Sequence, residues 1–475
     1  MSNPPASRQS PVLLILALSI AAALLIPALF MDGMFMDGLI YSCVGKNLSV
    51  GIGTFWDPQF SSTYMVSYHE QPPLMFGMES VFFKILGTSF YTERVYCLFM
   101  AVMCFLALRY VWNKLFADAP AEKRLLWVPV IFFFVSPVIF WAYTNNVEEA
   151  SMVVFALLSA GFQLAGIRSK GNGYGWFALG GVALIASSMC KGMQGLFPLI
   201  IPLTWFFIVR SISFRKAFVG NVIVFAVPAV FYLLISLYEP AVNSYTAYFH
   251  DRLATTFNVA ETATTSSRFF ILFELLLNIL PALFVSLLLT VAARKITMTY
   301  SRKALFFMVV GFAGILPLMV TLEQRGFYLV TGLPFIAIGL ALFTLRGAQA
   351  MQEKTDRVTW FRRSLATLAV LIITGTVIST VWLAGTPKRD VDLLHDVELI
   401  GHHCGPGKTA TADASIWSNW SLQGYLVRYH NISLARPSDP KADFYIAPKG
   451  SPAPAGYIPA NLPTLQYDLF SSGGQ

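Results

Sequence analysis

Charge is what this 475-residue chain has least of: Asp, Glu, Lys and Arg together make up 12% of it, against about 25% in ordinary soluble domains. With 56% hydrophobic residues and a mean hydropathy of +0.62, that scarcity excludes a water-soluble globular protein. Cysteine is scarce as well. The five cysteines form no Cys-x-x-Cys pair, and Cys97, Cys104 and Cys190 lie in or at the edge of apolar segments; neither a disulfide framework nor a zinc ribbon is expected. Nucleotide-binding motifs and internal repeats are missing too. The net charge is +8, but the basic residues are spread over short loops, a pattern of membrane orientation and not of a groove that tracks phosphates.

What the chain does have is long apolar runs. About 20 apolar residues suffice to cross about 30 Å of hydrocarbon as a helix. Spans are expected at 11–31, 92–112, 124–143, 149–167, 174–190, 195–210, 217–238, 270–292, 304–322, 327–346 and 364–385. The first is longer than a signal-peptide core and lacks a cleavage motif, so it reads as a span. The stretch 74–87, LMFGMESVFFKILG, is short for a crossing and reads as an interfacial helix, a re-entrant piece or a twelfth span.

Alternate connections (NKLFADAPAEKR, RSKGNG, RSISFRK, ARKITMTYSRK, RGAQAMQEKTDRVTWFRR) are rich in Lys and Arg and belong inside. The connections between them are poor in basic residues, which places 31–91, 239–268 and the tail 387–475 outside. The tail turns more polar, and pieces such as LLHDVELI, LQGYLVRY and DFYIAP suggest a helix and strands in a small α/β appendage. The expected domains are therefore a transmembrane part, 1–386, and an extracytoplasmic domain, 387–475.

On this map the chemically purposeful polar residues gather on the outer side: Asp37, Glu70, Glu149, Lys191, His250 and Arg325. Asp37 precedes a helical pattern at Ile40, Val44 and Leu48 and serves either as a helix cap or as a general base at the membrane surface; Asp32 is its decoy. Pro72 and Pro73 stiffen the backbone after Glu70-Gln71 and hold Gln71 extended. Glu148 and Glu149 open a span, where negative charge also suits the helix dipole. Lys191 stands against the positive-inside trend; an anionic phosphate would explain it, and so would snorkelling to lipid headgroups. His402-His403-Cys404 lacks further spaced ligands, and the sequons at Asn47, Asn419 and Asn431 are of a length that arises by chance.

Asp37-Gly38-Leu39-Ile40-Tyr41, followed by Glu70-Gln71-Pro72-Pro73-Leu74 before an apolar stretch, resembles the first-loop motifs of the GT-C integral-membrane glycosyltransferases. The similarity is nearest to the aminoarabinose transferase and protein mannosyltransferase-like group, whose loop carries D-E-x-x-Y and then E-K-P-P-L. The resemblance extends over most of 10–345 and is weak in the tail. Gly38 stands where the family has a second acid, and Gln71 where it has a phosphate-holding lysine. CKGMQGLFPL and EQRGFYLVTGLPF resemble later family segments.

The resemblance implies an all-α polytopic GT-C fold with about 11 to 13 transmembrane helices, to which the tail adds the small extracytoplasmic C-terminal α/β domain. It implies an inverting transferase in the bacterial inner membrane, moving a sugar from a polyprenyl-phosphate donor to a hydroxyl or phosphate of lipid A, a glycan or a protein. Asp37 and Glu149 would be its catalytic carboxylates. Lys191, Arg325, Tyr328, Gln71 and Tyr41 would meet the donor phosphate. No cofactor is required; a divalent metal, if used, would have Glu70 and His250 as ligands. The rivals are a flippase or transporter for lipid-linked sugars, which would carry charges within its spans and often repeated halves, and an oligosaccharide polymerase. Glu274 alone stands out as a charge near the start of a span.

Overall fold

The computed structural model describes residues 10–255, 263–292, 300–439 and 442–473. The chain divides into two compact units. The first comprises Met1–Pro27, Leu98–Tyr143 and Glu148–Trp382; the second comprises Ala28–Cys97, Thr144–Val147 and Leu383–Gln475.

Among the described residues eight helices are long and apolar enough to cross a bilayer: Val12–Phe30, Thr92–Leu115, Glu148–Arg168, Tyr174–Ile208, Phe214–Ile235, Phe270–Val291, Ser301–Val320 and Thr359–Leu383. Two bent pairs qualify as broken spans, Pro120–Phe134 with Pro137–Tyr143 (82°) and Leu333–Phe343 with Leu345–Arg357 (72°). The run Tyr174–Ile208 is itself interrupted. Its α-helix ends at Lys191, Gly192 has φ +78°, and a Cβ on Gly195 would lie 2.5 Å from the Ser187 backbone, so the chain doubles back there. Counted by length and composition, the described residues hold eight candidate spans, or ten with each bent pair taken as one. Large apolar side chains stay exposed along these helices, among them Phe225, Leu233, Leu287 and Val381. A monomer in water rarely leaves so much apolar surface open; a membrane-embedded surface accounts for it. Helix Leu74–Leu86 is too short to be among the candidate spans.

Helices Glu148–Arg168 and Tyr174–Lys191 form a hairpin across a five-residue connection, Ser169–Gly173, and short connections force antiparallel neighbours. The start of the first helix therefore lies beside the end of the second.

In the second unit the tail carries a five-stranded sheet: β1 (Thr409–Ala412), β2 (Ser433–Ala435), β3 (Phe444–Pro448), β4 (Tyr457–Pro459) and β5 (Tyr467–Ser472), in the order β2-β1-β3-β5-β4. β1 is parallel to β2 and β3, while β5 is antiparallel to β3 and β4. Helices Val391–Cys404 and Trp420–His430 pack on it through Val397, Ile400, Leu422 and Leu426. Asp396 is fully buried and accepts from the backbone N–H groups of Leu465, Gln466 and Tyr467 at 2.6, 2.7 and 2.9 Å.

The same core takes in Met34 and Leu39 from the first loop. Lys46 Nζ donates to the carbonyls of Val427 and Arg428 at 2.9 and 2.8 Å, satisfying carbonyls that a helix C-terminus leaves open. Arg428 donates to Thr88 O, Ser89 O and the Glu93 carboxylate at 2.9, 2.7 and 2.6 Å. First loop and tail thus fold as one body.

Candidate active site

The hairpin builds a charged cluster in the first unit. Glu148 and Glu149 occupy the first turn of one helix, Lys191 the last turn of the other. Each charge sits at the helix end whose dipole favours it, and the antiparallel arrangement sets them side by side. Lys191 Nζ lies 3.1 Å from Glu148 Oε2 and 2.9 Å from Glu149 Oε1, with all three side chains at most 9% exposed. Its ammonium also sits 5.1 Å from the centre of the Tyr328 ring, within cation–π range.

Tyr328 belongs to the turn Gly326–Thr331, which Phe327 anchors by stacking on Trp141 at 5.5 Å. Arg325 immediately precedes that turn, is exposed, and has no ion-pair partner among the described residues. Arg252, by contrast, is held by Glu323 at 2.5 Å.

Gly192 allows the turn that ends the Lys191 helix. A Cβ there would lie 2.1 Å from Tyr248 Oη, and the positive φ independently selects glycine. Beyond it opens a cavity of about 760 Å³ whose walls include Gly192, Leu196, Ile235, Tyr245, Tyr248 and His250. Most of its lining is apolar. Ser188 and Tyr232, paired at 2.7 Å, supply part of the polar wall.

The second unit holds the first-loop motif. Asp37 is the second residue of helix Met36–Ser49 and is half-buried; Tyr41, one turn on, is buried against Phe76 at 5.8 Å. Residues four apart share a helix face, so Asp37 and Tyr41 look the same way. Gly38 has a steric reason to lack a side chain. A Cβ there would lie 1.9 Å from the Asn145 carbonyl oxygen, so the second acid of the family motif has no room. Asn145 Oδ1 accepts from the Phe35 N–H at 3.0 Å. Asn146, at φ +52°, donates to Gly38 O, Ser42 Oγ and Glu79 Oε1 at 3.3, 3.0 and 2.9 Å. The segment Thr144–Val147 thereby clamps the helix that carries Asp37.

Glu79 is the acid the sequence reading passed over. Full burial, with Glu93 nearby, pushes its carboxyl up to about 8, and Oε2 has no hydrogen-bond partner among the described residues. Its signal was legible, since it is the only acid in LMFGMESVFFKILG. Asp32 is held by Tyr429 Oη at 2.6 Å and Arg94 at 3.4 Å. Gln71 is buried just ahead of the two prolines, and helix Leu74–Leu86 begins directly after them.

The structure thus brings Glu149, Lys191 and Tyr328 together, sets Arg325 beside Tyr328 in the chain, and makes His250 part of the cavity wall. The suggested metal ligands gain no third partner. Glu70 is exposed, His250 is 86% exposed with Asp251 at 2.8 Å, and no group of three or more His, Cys, Asp or Glu able to hold a metal occurs among the described residues.

No protein-family model and no curated protein sequence matches the chain. Solved structures do. The crystal structure of ArnT from Cupriavidus metallidurans bound to undecaprenyl phosphate superposes with a TM-score of 0.68 at 13% identity, covering 97% of this chain and 99% of that one. Its apo state gives 0.68 at 14% over the same shares. The apo oligosaccharyltransferase of Archaeoglobus fulgidus gives 0.55 at 12%, covering 91% of this chain and 65% of that one. Identities this low speak to the fold alone, and that fold is shared over nearly the whole length of this chain and of ArnT. The chain shares its fold with these ArnT structures.

Proposed function

We propose that this protein is a glycosyltransferase that moves a sugar from a polyprenyl-phosphate carrier to a hydroxyl or phosphate acceptor on lipid A, a glycan or a protein. The reaction takes place on the extracytoplasmic face of a bacterial inner membrane, with residues 1–386 as the catalytic membrane part and 387–475 as the outer domain. The observation that supports this reading most is the buried Glu148–Glu149–Lys191 cluster beside a mostly apolar cavity. Such a pairing suits a ligand with a charged head and a hydrocarbon tail, since binding pockets are mainly apolar with a few placed polar groups. The ArnT structure it resembles was solved with undecaprenyl phosphate bound.

In the proposed reaction the acceptor oxygen attacks the anomeric carbon and its proton passes to Asp37. The bond from that carbon to the phosphate oxygen breaks, and the lipid phosphate departs with the electron pair; one displacement inverts the anomeric centre. Charge grows most on the departing phosphate, where fixed donors count most. Gln71 brings no charge to it. Lys191 is already flanked by two carboxylates and chiefly holds Glu149 in place, so Arg325 carries the main positive charge, with Tyr328 and Tyr41 as hydroxyl donors. The planar guanidinium of Arg325 suits a phosphate.

The test is turnover by the full chain in detergent, where no sidedness exists for a transporter to act on. A polyprenyl-phosphate-linked sugar is supplied with an envelope lipid extract, and products are read by mass spectrometry. Release of polyprenyl phosphate together with a glycosylated product is expected. An intact donor in detergent, combined with lipid-linked sugar crossing the bilayer in vesicles, would establish the transporter instead.

A further inference from the structure

On the face that carries the basic loops, the first unit has a second cavity, of about 500 Å³, walled by Ile167, Arg168, Trp205, Val209, Lys216 and Lys303. Its cations come from three separate helices: Arg168 ends Glu148–Arg168, Lys216 lies in the first turn of Phe214–Ile235, and Lys303 in the first turn of Ser301–Ile315. Neither of the last two helices has an acid in its first turn. A helix N-terminus favours negative charge, so lysines there oppose the dipole.

Among the described residues these charges are only partly offset. Among the described residues Lys216 Nζ donates to the carbonyls of Ser169 and Gly171, at 2.6 and 3.2 Å. Lys303 sits over the Phe116 and Tyr300 rings at 5.6 and 5.2 Å, and the like charge of Arg168 acts on it more strongly than the opposite charge of either Glu122 or Asp118. Of the three, only Arg168 forms an ion pair among the described residues, with the exposed Asp118. Orientation by the positive-inside rule asks for basic loops, but not for three cations drawn around one hollow. Trp205, bonded through Nε1 to Ser211 Oγ at 2.9 Å, and the apolar Ile167 and Val209 line the same hollow. An indole with a bonded N–H beside aliphatic groups is typical of the headgroup level of a bilayer.

We propose that this cavity binds the phosphate of an anionic phospholipid headgroup. Lys216 and Lys303, neither in an ion pair among the described residues, converge on the phosphate with Arg168 beside them, while the acyl chains leave along the apolar wall. Basic pockets between transmembrane helices hold such headgroups. The site is independent of the sugar-transfer reading and would stand if that reading fell.

The test follows thermal unfolding of the full chain in a neutral detergent during titration with dioleoyl phosphatidylglycerol, dioleoyl phosphatidylcholine or inorganic phosphate. Phosphatidylglycerol should raise the Tm saturably, and the other two should not at equal concentration. Half-saturation should move up by about fivefold for each lysine removed in Lys216→Gln and Lys303→Gln. Lys216→Arg should keep the response, as should Arg363→Gln, a control at an exposed basic residue. An equal shift with phosphatidylcholine, or an undiminished response in both glutamine variants, would overturn the site. The same shift with inorganic phosphate would replace the lipid by a free anion and overturn the lipid assignment.

Discussion

Glu79→Gln isolates one buried charge and lets its energetics be worked through. The carboxyl is fully buried, and burial raises it from an ordinary 4.5 to about 8. Because the folded value is the higher one, the stability the neutral acid contributes is complete below about pH 4.5. It is lost progressively as pH rises through about 8. Each unit of pH in that window costs about 1.4 kcal/mol, so between pH 6 and pH 8 the wild type should lose about 2 kcal/mol through this group. A glutamine keeps the acceptor for Asn146 Nδ2, at 2.9 Å in the wild type, and cannot ionise. Its new amide N–H groups replace Oε2, which has no hydrogen-bond partner among the described residues, and unmet donors cost about 1–3 kcal/mol. The variant's standing at any single pH is therefore a difference of similar terms. The widening of its advantage with pH is not. Thermal unfolding of the full chain in detergent at pH 6, 7 and 8 measures it, at about 2–4 °C per kcal/mol for a cooperative unit of 150–250 residues. Parallel pH curves for wild type and Glu79→Gln would refute the assignment of a neutral, buried Glu79.

Removing the cation in Lys191→Met leaves two buried carboxylates facing each other and should cost about 3–5 kcal/mol; the double variant with Glu148→Gln should recover part of it, and equal Tm values for Lys191→Met and wild type would dissolve the cluster. Asp37→Asn should lower turnover by about 10²–10⁴-fold at nearly unchanged Tm. Asp32→Asn should instead lower the Tm, because it weakens contacts to Tyr429 and Arg94, while the folded fraction turns over normally; the reverse pattern would mean the wrong aspartate was chosen. A cysteine at exposed Asp57 and another at exposed Gly450 should both react with an impermeant reagent in intact spheroplasts, and protection of either would overturn the orientation.

The sequence by itself determined the membrane character, the apolar segments and the small mixed tail, because hydrophobic run length and loop charge are local properties. It also singled out Glu149, Lys191 and Tyr328 as polar residues in unexpected places. What it could not determine was which of them touch. Lys191 pairs with two carboxylates some forty positions earlier in the chain because a hairpin of matched helices returns the chain to its starting level. Only that return makes the lysine a partner of acids. Gly38 looked like a lost carboxylate and is a steric necessity against Asn145. Glu79 looked like part of an apolar surface helix and is a buried acid clamped by Asn146. The tail read as an appendage, yet its core closes over Met34 and Leu39. In each case the deciding quantity is a distance between residues remote in the chain, fixed by how whole elements pack.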